Sequence, residues 1–338
     1  MDLREELSTS ILTKLKEKVD PLAGFYATDD IKEAILAIAI SGRHLLLEGP
    51  PGIGKTTLAR ILAGLLPPMQ VIEGCHYNCD PESSQCPDCL SHRTGPGTVI
   101  IEGKRRFIRV QGSPELMPED LLGDIDPVIA MQSGVRDPRA FTPGKIQKAH
   151  RKILFIDELN RVPERTQNTL IEVLEEKTTT IAGFDLNISV DTIVIATQNP
   201  EEYAGADRIS ETLGDRFERI RLGYPTLEQE IAILEQYAKH TANLQFDDQR
   251  LNDVVRISQA TRTSRHFSRP ASVRASIATF EQAQAIAQLK GKPAVSTEDI
   301  EKAARISLES RTVVSPDSQY SEAPSTLLDM IIHGRLTD

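Results

Sequence analysis

The stretch HLLLEGPPGIGKTTLARILAGLL, residues 44–66, decides the fold. His44 to Gly49 is a short apolar run that stops at a Gly/Pro-rich loop and reads as a buried strand. From Lys55 to Leu66 the apolar residues recur at helical spacing. Strand, glycine loop and helix make a βα unit. The loop, Gly49-Pro50-Pro51-Gly52-Ile53-Gly54-Lys55-Thr56, satisfies G-x-x-x-x-G-K-[ST] in full. Its glycines let backbone N–H groups turn inward around a phosphate chain, the lysine can reach the β- and γ-phosphates, and the hydroxyl can ligate Mg²⁺. A helix starting at Lys55 adds its positive N-terminal end. Nucleotide contacts are therefore expected from Gly49, Pro50, Pro51, Gly52, Ile53, Gly54, Lys55, Thr56 and Thr57, with Thr56 also on Mg²⁺.

Outward from this unit, ILFID (153–157) and TIVIAT (192–197) are further apolar runs of strand length, separated by a helical stretch over 164–176. DIKEAILAIAIS (30–41) gives a helix before the first strand. Buried strands alternating with helices predict a parallel sheet covered on both faces. Residues 178–191 differ: Leu186, Ile188 and Val190 alternate, and Gly183 and Asp185 mark a turn, which predicts a hairpin. The run at 153–156 ends in Asp157 and Glu158, and a parallel α/β sheet binds ligands at the C-terminal ends of its strands. Asp157 is placed to join the Mg²⁺ shell, Glu158 to orient the attacking water, and Asn199, after the next strand, to sense the γ-phosphate. The plainer alternative is a pair of solvated acids at a strand tip, which the phosphate loop makes the weaker reading.

Beyond about Tyr224 strand signals cease and helical periodicity dominates, with a capping-box start at Ser296-Thr297-Glu298-Asp299. The expected architecture is an α/β nucleotide-binding domain over residues 1–224 and a small all-helical domain with a C-terminal tail over 225–338. The first domain carries a Cys-rich loop (74–92), an insert at about 115–147 and the hairpin at 178–191. The longest wholly apolar run, Ala34 to Ile40, is far shorter than the ~20 residues of a membrane span. The N-terminus lacks the apolar core of a secretory signal, so a cytoplasmic location is expected. A net charge of −10 argues against general nucleic-acid affinity.

The chain resembles the AAA+ ATPases, and within them the magnesium-chelatase subunit I and MoxR group, over about residues 20–310. The resemblance rests on GPPGIGKT, on the Walker B stretch ILFIDELNRVPERTQNTLIEVLEE, on the sensor-1 segment ATQNPEE and on LGDRF (213–217). It implies a parallel-sheet core with a helical lid, ATP and Mg²⁺ as cofactors, and a ring of this chain's own copies, a hexamer in the expectation. Lys55 and Thr56 match the nucleotide and metal positions, Asp157 and Glu158 the Walker B acids, and Asn199 sensor 1. Arg216 matches the arginine finger that reaches a neighbouring subunit, and Arg274 matches sensor 2 on the lid, with Val273 where the family usually has proline; Arg269 is the lesser candidate.

The insert Leu121–Asp126 followed by Phe141-Thr-Pro-Gly144, and the tail LESRTVVSPDSQYSEAP, resemble chelatase subunit I. Asn160-Arg161-Val162-Pro163 leans towards MoxR proteins. The first resemblance implies an ATPase that drives metal insertion into a tetrapyrrole, with a von Willebrand A partner and a chelatase large subunit. The alternative is a MoxR-like chaperone that matures another protein complex. A DNA-remodelling reading, motivated by Arg262, Arg265, Arg269 and Arg274, is opposed by the acidic net charge.

All four cysteines lie within Cys75–Cys89, spaced C-x3-C-x6-C-x2-C. In a reducing compartment such a cluster favours metal over disulfides. Cys75, Cys79, Cys86 and Cys89 supply enough thiolates to close a tetrahedral structural Zn²⁺ shell without His76 or His92. A labile redox pair at Cys86-Pro-Asp-Cys89 is the alternative. The metal knot is expected on an exposed loop.

Overall fold

Five strands lie side by side in one parallel sheet. The computed structural model describes residues 1–336 apart from 85, 91–93, 96, 135–136, 138–139, 181–186, 200–208 and 243. Its central strands are β1 (His44–Glu48), β2 (Phe107–Gln111), β3 (Lys152–Asp157), β4 (Thr192–Gln198) and β5 (Phe217–Arg221). They are ordered β5-β1-β4-β3-β2, every neighbouring pair being parallel. Flanking them are α1 (Leu3–Lys16), α2 (Asp29–Ser41), α3 (Lys55–Leu65) and α4 (Glu164–Glu176). The three interior strands β1, β4 and β3 are apolar throughout their middles because helices cover both faces. Leu46, Leu154, Val194 and Ala196 are all fully buried in one core with Leu170 and Val173 of α4.

The register puts the chemistry in one place. Glu48 at the end of β1 is level with Gln198 of β4, Ala196 of β4 with Ile156 of β3, and Asp157 of β3 with Gln111 of β2. The C-terminal ends of four strands therefore form one continuous rim, and the phosphate loop leaves that rim from β1.

Helix α1 begins with an Asp2/Glu5 capping box and buries Leu3, Leu7 and Ile11. Its Glu6 accepts from the guanidinium of Arg106, which has no solvent exposure and also donates to the carbonyls of Arg151 (3.0 Å) and Pro67 (2.8 Å). Every one of these buried polar contacts is needed, because an unpaired buried charge costs several kcal/mol.

Three excursions leave the sheet. Met69–Ile72 pairs antiparallel with Thr98–Ile101 away from the central sheet, and the cysteines lie between the two. Gly123–Ile125 pairs antiparallel with Phe141–Pro143. Thr178–Thr180 pairs antiparallel with Asn187–Ser189; the turn residues Gly183 and Asp185 lie outside the described residues.

By its internal contacts the chain forms two compact units, Met1–Gly49 with Gly54–Leu222, and Pro50–Ile53 with Gly223–Asp338. The second unit holds α5 (Leu227–Tyr237), α6 (Asp248–Thr263), α7 (Val273–Leu289), α8 (Thr297–Glu309) and α9 (Pro324–Ile332). They enclose a core that includes Leu234, Val254, Phe280, Ile300 and Leu327. Fully buried Glu230 accepts two bonds from Arg262 (2.6 and 2.8 Å) and one from the Ser276 hydroxyl (2.5 Å). Among its described residues the unit is helical but for a short ladder, Phe267–Arg269 against Val313–Val314, and a single bridge between Gln245 and Ala294, neither of which the helical periodicity announced. At the start of α8 the Asp299 carboxylate accepts the Ser296 N–H at 3.1 Å. Among the described residues no helix is long and apolar enough to cross a membrane.

Candidate functional site

The loop between β1 and α3 needs its glycines. Gly52 and Gly54 have φ of +80° and +94°, where a side chain is strained, and Gly54 is the residue that opens α3. The first N–H groups of α3 have no partner within the helix and point towards whatever fills the loop. Lys55 is buried, and its ammonium is held by the carbonyl oxygen of Gly49 and by Oδ1 of Asn199 (3.0 Å). Both of these acceptors are neutral oxygens, and a lysine ammonium at the loop is the group that a triphosphate requires.

From Lys55 a chain of polar contacts runs across the rim. The Asn199 amide donates to Oε1 of Glu158 at 2.9 Å, and Oε2 of Glu158 receives Arg161 at 2.9 Å. Asp157 accepts the Thr197 hydroxyl at 2.7 Å and the Arg109 guanidinium at 2.6 Å. The Thr197 hydroxyl oxygen in turn accepts the Glu158 N–H at 2.8 Å, which ties the two acids to β4. Both acids are thus paired with arginines, and Asp157 could exchange its guanidinium for a metal ion.

Glu158 sits in the left-handed region, φ 56° and ψ 52°. For a residue with a Cβ this costs about 1–2 kcal/mol, and such strain gathers at functional sites. The conformation is held from below by Gly112, whose N–H donates to the Asp157 carbonyl at 2.6 Å. A Cβ on Gly112 would stand 2.2 Å from the Glu158 carbonyl oxygen, so only glycine permits this approach.

The remaining residues singled out by the sequence fall as follows. Thr56 and Thr57 are half-buried in the first turn of α3. Arg216 stands outside the polar chain: it pairs with Glu175 of α4 and donates to the Thr212 carbonyl at 2.5 Å. Arg274 opens α7, and within its own unit its Cγ lies 3.4 Å from where a Cβ on Gly52 would be. Arg269 is exposed on the short ladder, whereas Arg262 is buried on Glu230 and stacks on Tyr224, which removes it from any basic surface. The sequence reading passed over Arg109, Gln111, Gly112, Arg161 and Thr197. Gln111 donates to Glu158 at 3.4 Å. The signal for Arg109, Gln111 and Gly112 is only the parallel pairing of β2 with β3, which no motif announces, whereas Arg161 and Thr197 lie inside the Walker B and sensor-1 stretches.

The cysteines form a second cluster, and their surroundings correct one expectation. Cys75, Cys79 and Cys86 are buried at 9%, 8% and 5% exposure, and Cys89 is half-buried, so the knot does not ride on an exposed loop. All four Sγ atoms lie within 4.8 Å of one another, with Cys75 3.6 Å from Cys86 and 3.7 Å from Cys89. A tetrahedron with metal–sulfur bonds of ~2.3 Å has sulfurs about 3.8 Å apart, so the set is of the right size for one metal ion. The N–H groups of Cys79 and Cys89 donate to Sγ of Cys75 (3.5 Å) and Cys86 (3.4 Å). Hydrogen bonds from Cys79 and Cys86 hold the Cys75 thiol far below the ordinary range. The Cys75 contact pushes Cys79 and Cys86 upward, and burial pushes Cys89 up to about 12. Four thiols at this spacing could hold one dication. His76 turns to Asp88 (2.8 Å) and takes no part; His92 lies outside the described residues.

A parallel sheet of order 5-1-4-3-2, with a phosphate loop after β1 and adjoining carboxylates after β3, defines a phosphate-loop ATPase. Three family models match: the ATPase family associated with various cellular activities over residues 99–219, the AAA lid domain over 259–329, and magnesium chelatase subunit ChlI over 26–79. The magnesium-chelatase 38 kDa subunit of Acidiphilium rubrum is 36% identical over 163 residues, covering 47% of this chain and 46% of that protein. Chaperone MoxR1 of Mycobacterium tuberculosis is 25% identical over an alignment covering 90% of this chain and 77% of that one. Among solved structures, the cryo-EM-based complex of subunits BchI and BchD of magnesium chelatase has the same fold, with a TM-score of 0.50, 20% identity, and 88% of this chain and 97% of that one covered. The chain belongs to the AAA+ ATPases, in the group that holds magnesium-chelatase subunit I and the MoxR proteins.

Proposed function

We propose that this protein is a cytoplasmic AAA+ motor subunit that hydrolyses ATP in a ring of its own copies, and that it serves as the ATPase of a magnesium-chelatase-type complex. The observation that carries the reading is the polar chain Lys55–Asn199–Glu158. It joins the loop that would hold phosphate to the acid that would act on water, through the residue placed to sense the γ-phosphate.

In this reading the N–H groups of the loop and Lys55 bind the β- and γ-phosphates. Thr56 and Asp157 hold Mg²⁺, which neutralises charge on the phosphate oxygens when bound. Glu158, freed from Arg161, orients and deprotonates the water for in-line attack, and Asn199 positions both. Arg216 supplies a guanidinium to the site of the neighbouring subunit, where developing charge makes it worth ~10³–10⁵ in rate. Arg274 takes the sensor-2 role that its match to the family pattern implies. The hexamer, the von Willebrand A partner, the chelatase large subunit and insertion of a metal into a tetrapyrrole come from the chelatase relationship. The four cysteines take one Zn²⁺ in a closed site, which gives structure and no reaction.

A second reading, a MoxR-like chaperone that matures another complex, is favoured by Asn160-Arg161-Val162-Pro163 and by the long alignment with chaperone MoxR1. Both readings require the same test. Glu158→Gln is expected to bind ATP with unchanged affinity and to lose hydrolysis by at least ~10²-fold, the range for a general base. Used as a trap under ATP, it should retain a partner, either a chelatase large subunit or an unrelated enzyme with its von Willebrand protein. Unimpaired hydrolysis would remove Glu158 from the mechanism, and retention of no partner would sink both motor readings.

A further inference from the structure

The cysteine cluster takes no part in the chemistry above, yet it is where the three excursions from the sheet meet. Cys75, Tyr77, Cys79, Cys86 and Phe141 form one buried cluster, with Ile72, Ile125 and Ile188 packed against it. Ile72 comes from the arm that carries the cysteines, Ile125 and Phe141 from the two strands of the hairpin 123–143, and Ile188 from the hairpin 178–189. Each hairpin strand has three residues. A two-stranded ribbon that short is marginal in water and needs a surface to lie on. The apolar surface these two share is the thiol cluster, three of whose five central residues are cysteines; the buried Gln147 amide gives them a polar tie as well, donating to the Leu122 carbonyl (2.7 Å) and the Thr179 hydroxyl (3.2 Å).

The arm is also bolted to the base of β3. The Asn78 amide, in a turn between two of the cysteines, donates to the carbonyls of Lys148 (3.0 Å) and His150 (3.3 Å). Arg151 returns two bonds, to the carbonyls of Gln70 (3.1 Å) and Asn78 (3.3 Å). The arm therefore has an anchor independent of the thiols, whereas the apolar contacts of the hairpins converge on the cluster itself. The core beneath the nucleotide loop, built on Leu46, Leu154, Ile156 and Ala196, contains no cysteine.

We infer that one thiophilic divalent ion at Cys75, Cys79, Cys86 and Cys89 is the shared core of the two inserted hairpins. Its presence holds the strands 123–125, 141–143, 178–180 and 187–189 in their folded places, and its loss releases them while the nucleotide core stays intact. This rests on the reading that the four thiols take a metal. The physical reason is geometric: the four sulfurs stand close enough to share one ion, and a small satellite cluster gains from the metal the cohesion that its few apolar side chains do not supply.

The test combines metal analysis with hydrogen exchange on the full chain. Zn²⁺ is titrated into reduced protein, and its release on thiol modification is measured. Amide exchange is then compared before and after chelation, alongside the affinity for a fluorescent ATP analogue. The expected result is about one Zn²⁺ per chain. After chelation, exchange should speed up at least ~10-fold in 123–125, 141–143, 178–180 and 187–189, with β1 and β3 unchanged and nucleotide affinity within about twofold. Less than one metal per four thiols, with the thiols freely alkylated, overturns the metal reading. Stoichiometric metal whose removal leaves the hairpins protected overturns the coupling alone. Loss of protection that extends into β1 and β3 also overturns it, since the effect would then be global. Phe141→Ala supplies a variant with all four thiols in place: it should loosen 123–143 at full metal content, and an unchanged hairpin there would count against the shared core.

Discussion

Asp157 meets a guanidinium where the proposed mechanism has it meet a metal ion. The Arg109 contact at 2.6 Å occupies one carboxylate oxygen and Thr197 the other. Arg109 is 45% exposed, so solvent screens the pair, which is worth ~0.5–1 kcal/mol. A cation of that worth competes weakly with Mg²⁺. Arg109→Met is expected to lower the Mg²⁺ concentration for half-maximal nucleotide binding by about two- to fivefold, measured by titrating Mg²⁺ against a fluorescent ATP analogue. An unchanged midpoint would show that the two do not compete. The motif residues at this site were legible because Lys55, Asp157 and Asn199 each follow an apolar run at a fixed place. Arg109 and Gly112 were not, since they face Asp157 only through strand register, some forty-five residues away along the chain. No local pattern encodes that neighbour.

At the scale of elements, the interior strands were readable and the edges were not. β1, β3 and β4 are covered on both faces and so read as unbroken apolar runs. β2 (FIRVQ) and β5 (FERIR) are the edges, with Arg109 and Gln111 exposed on one and Glu218, Arg219 and Arg221 on the other, and their charged residues dilute the signal. The start of β4 is fixed by two imidazoles. Nδ1 of His44 accepts the Val194 N–H at 3.1 Å, and Nδ1 of His150 accepts the Asp191 N–H at 3.0 Å. Burial pushes each down to about 4 from an ordinary value of 6.5. Between these values the unfolded chain binds more protons than the folded one, so stability rises with pH. It is complete above about 6.5 and falls as pH drops towards 4, on the order of 3 kcal/mol for each histidine at the acid limit. Urea midpoints across this window should show the slope, and His150→Asn should reduce it by one proton. A parallel slope in the variant would assign the acid sensitivity elsewhere.

At the scale of the whole molecule, Arg216 is the residue whose proposed use lies outside its own chain. It rests on Glu175 and the Thr212 carbonyl, apart from the Lys55–Asn199–Glu158 chain. If it acts on a neighbour, ATPase activity per subunit must rise with protein concentration and fall on dilution. Arg216→Ala chains mixed with Glu158→Gln chains should recover part of the activity that each lacks alone, because Arg216 from one acts on the intact acid of the other. Activity independent of concentration, with no recovery on mixing, would place Arg216 in a structural pair with Glu175.

The backbone at Glu158 has a further meaning for anyone who alters this protein. A left-handed residue followed by the tight 159–161 turn is a place where the chain itself favours glycine. A screen that rewards heat resistance alone would therefore be drawn to this position. It would return sturdier proteins in which the proposed water-activating side chain had been traded away. Thermal tolerance and turnover need to be scored together here, since the most tempting stabilising change falls on the acid that matters most.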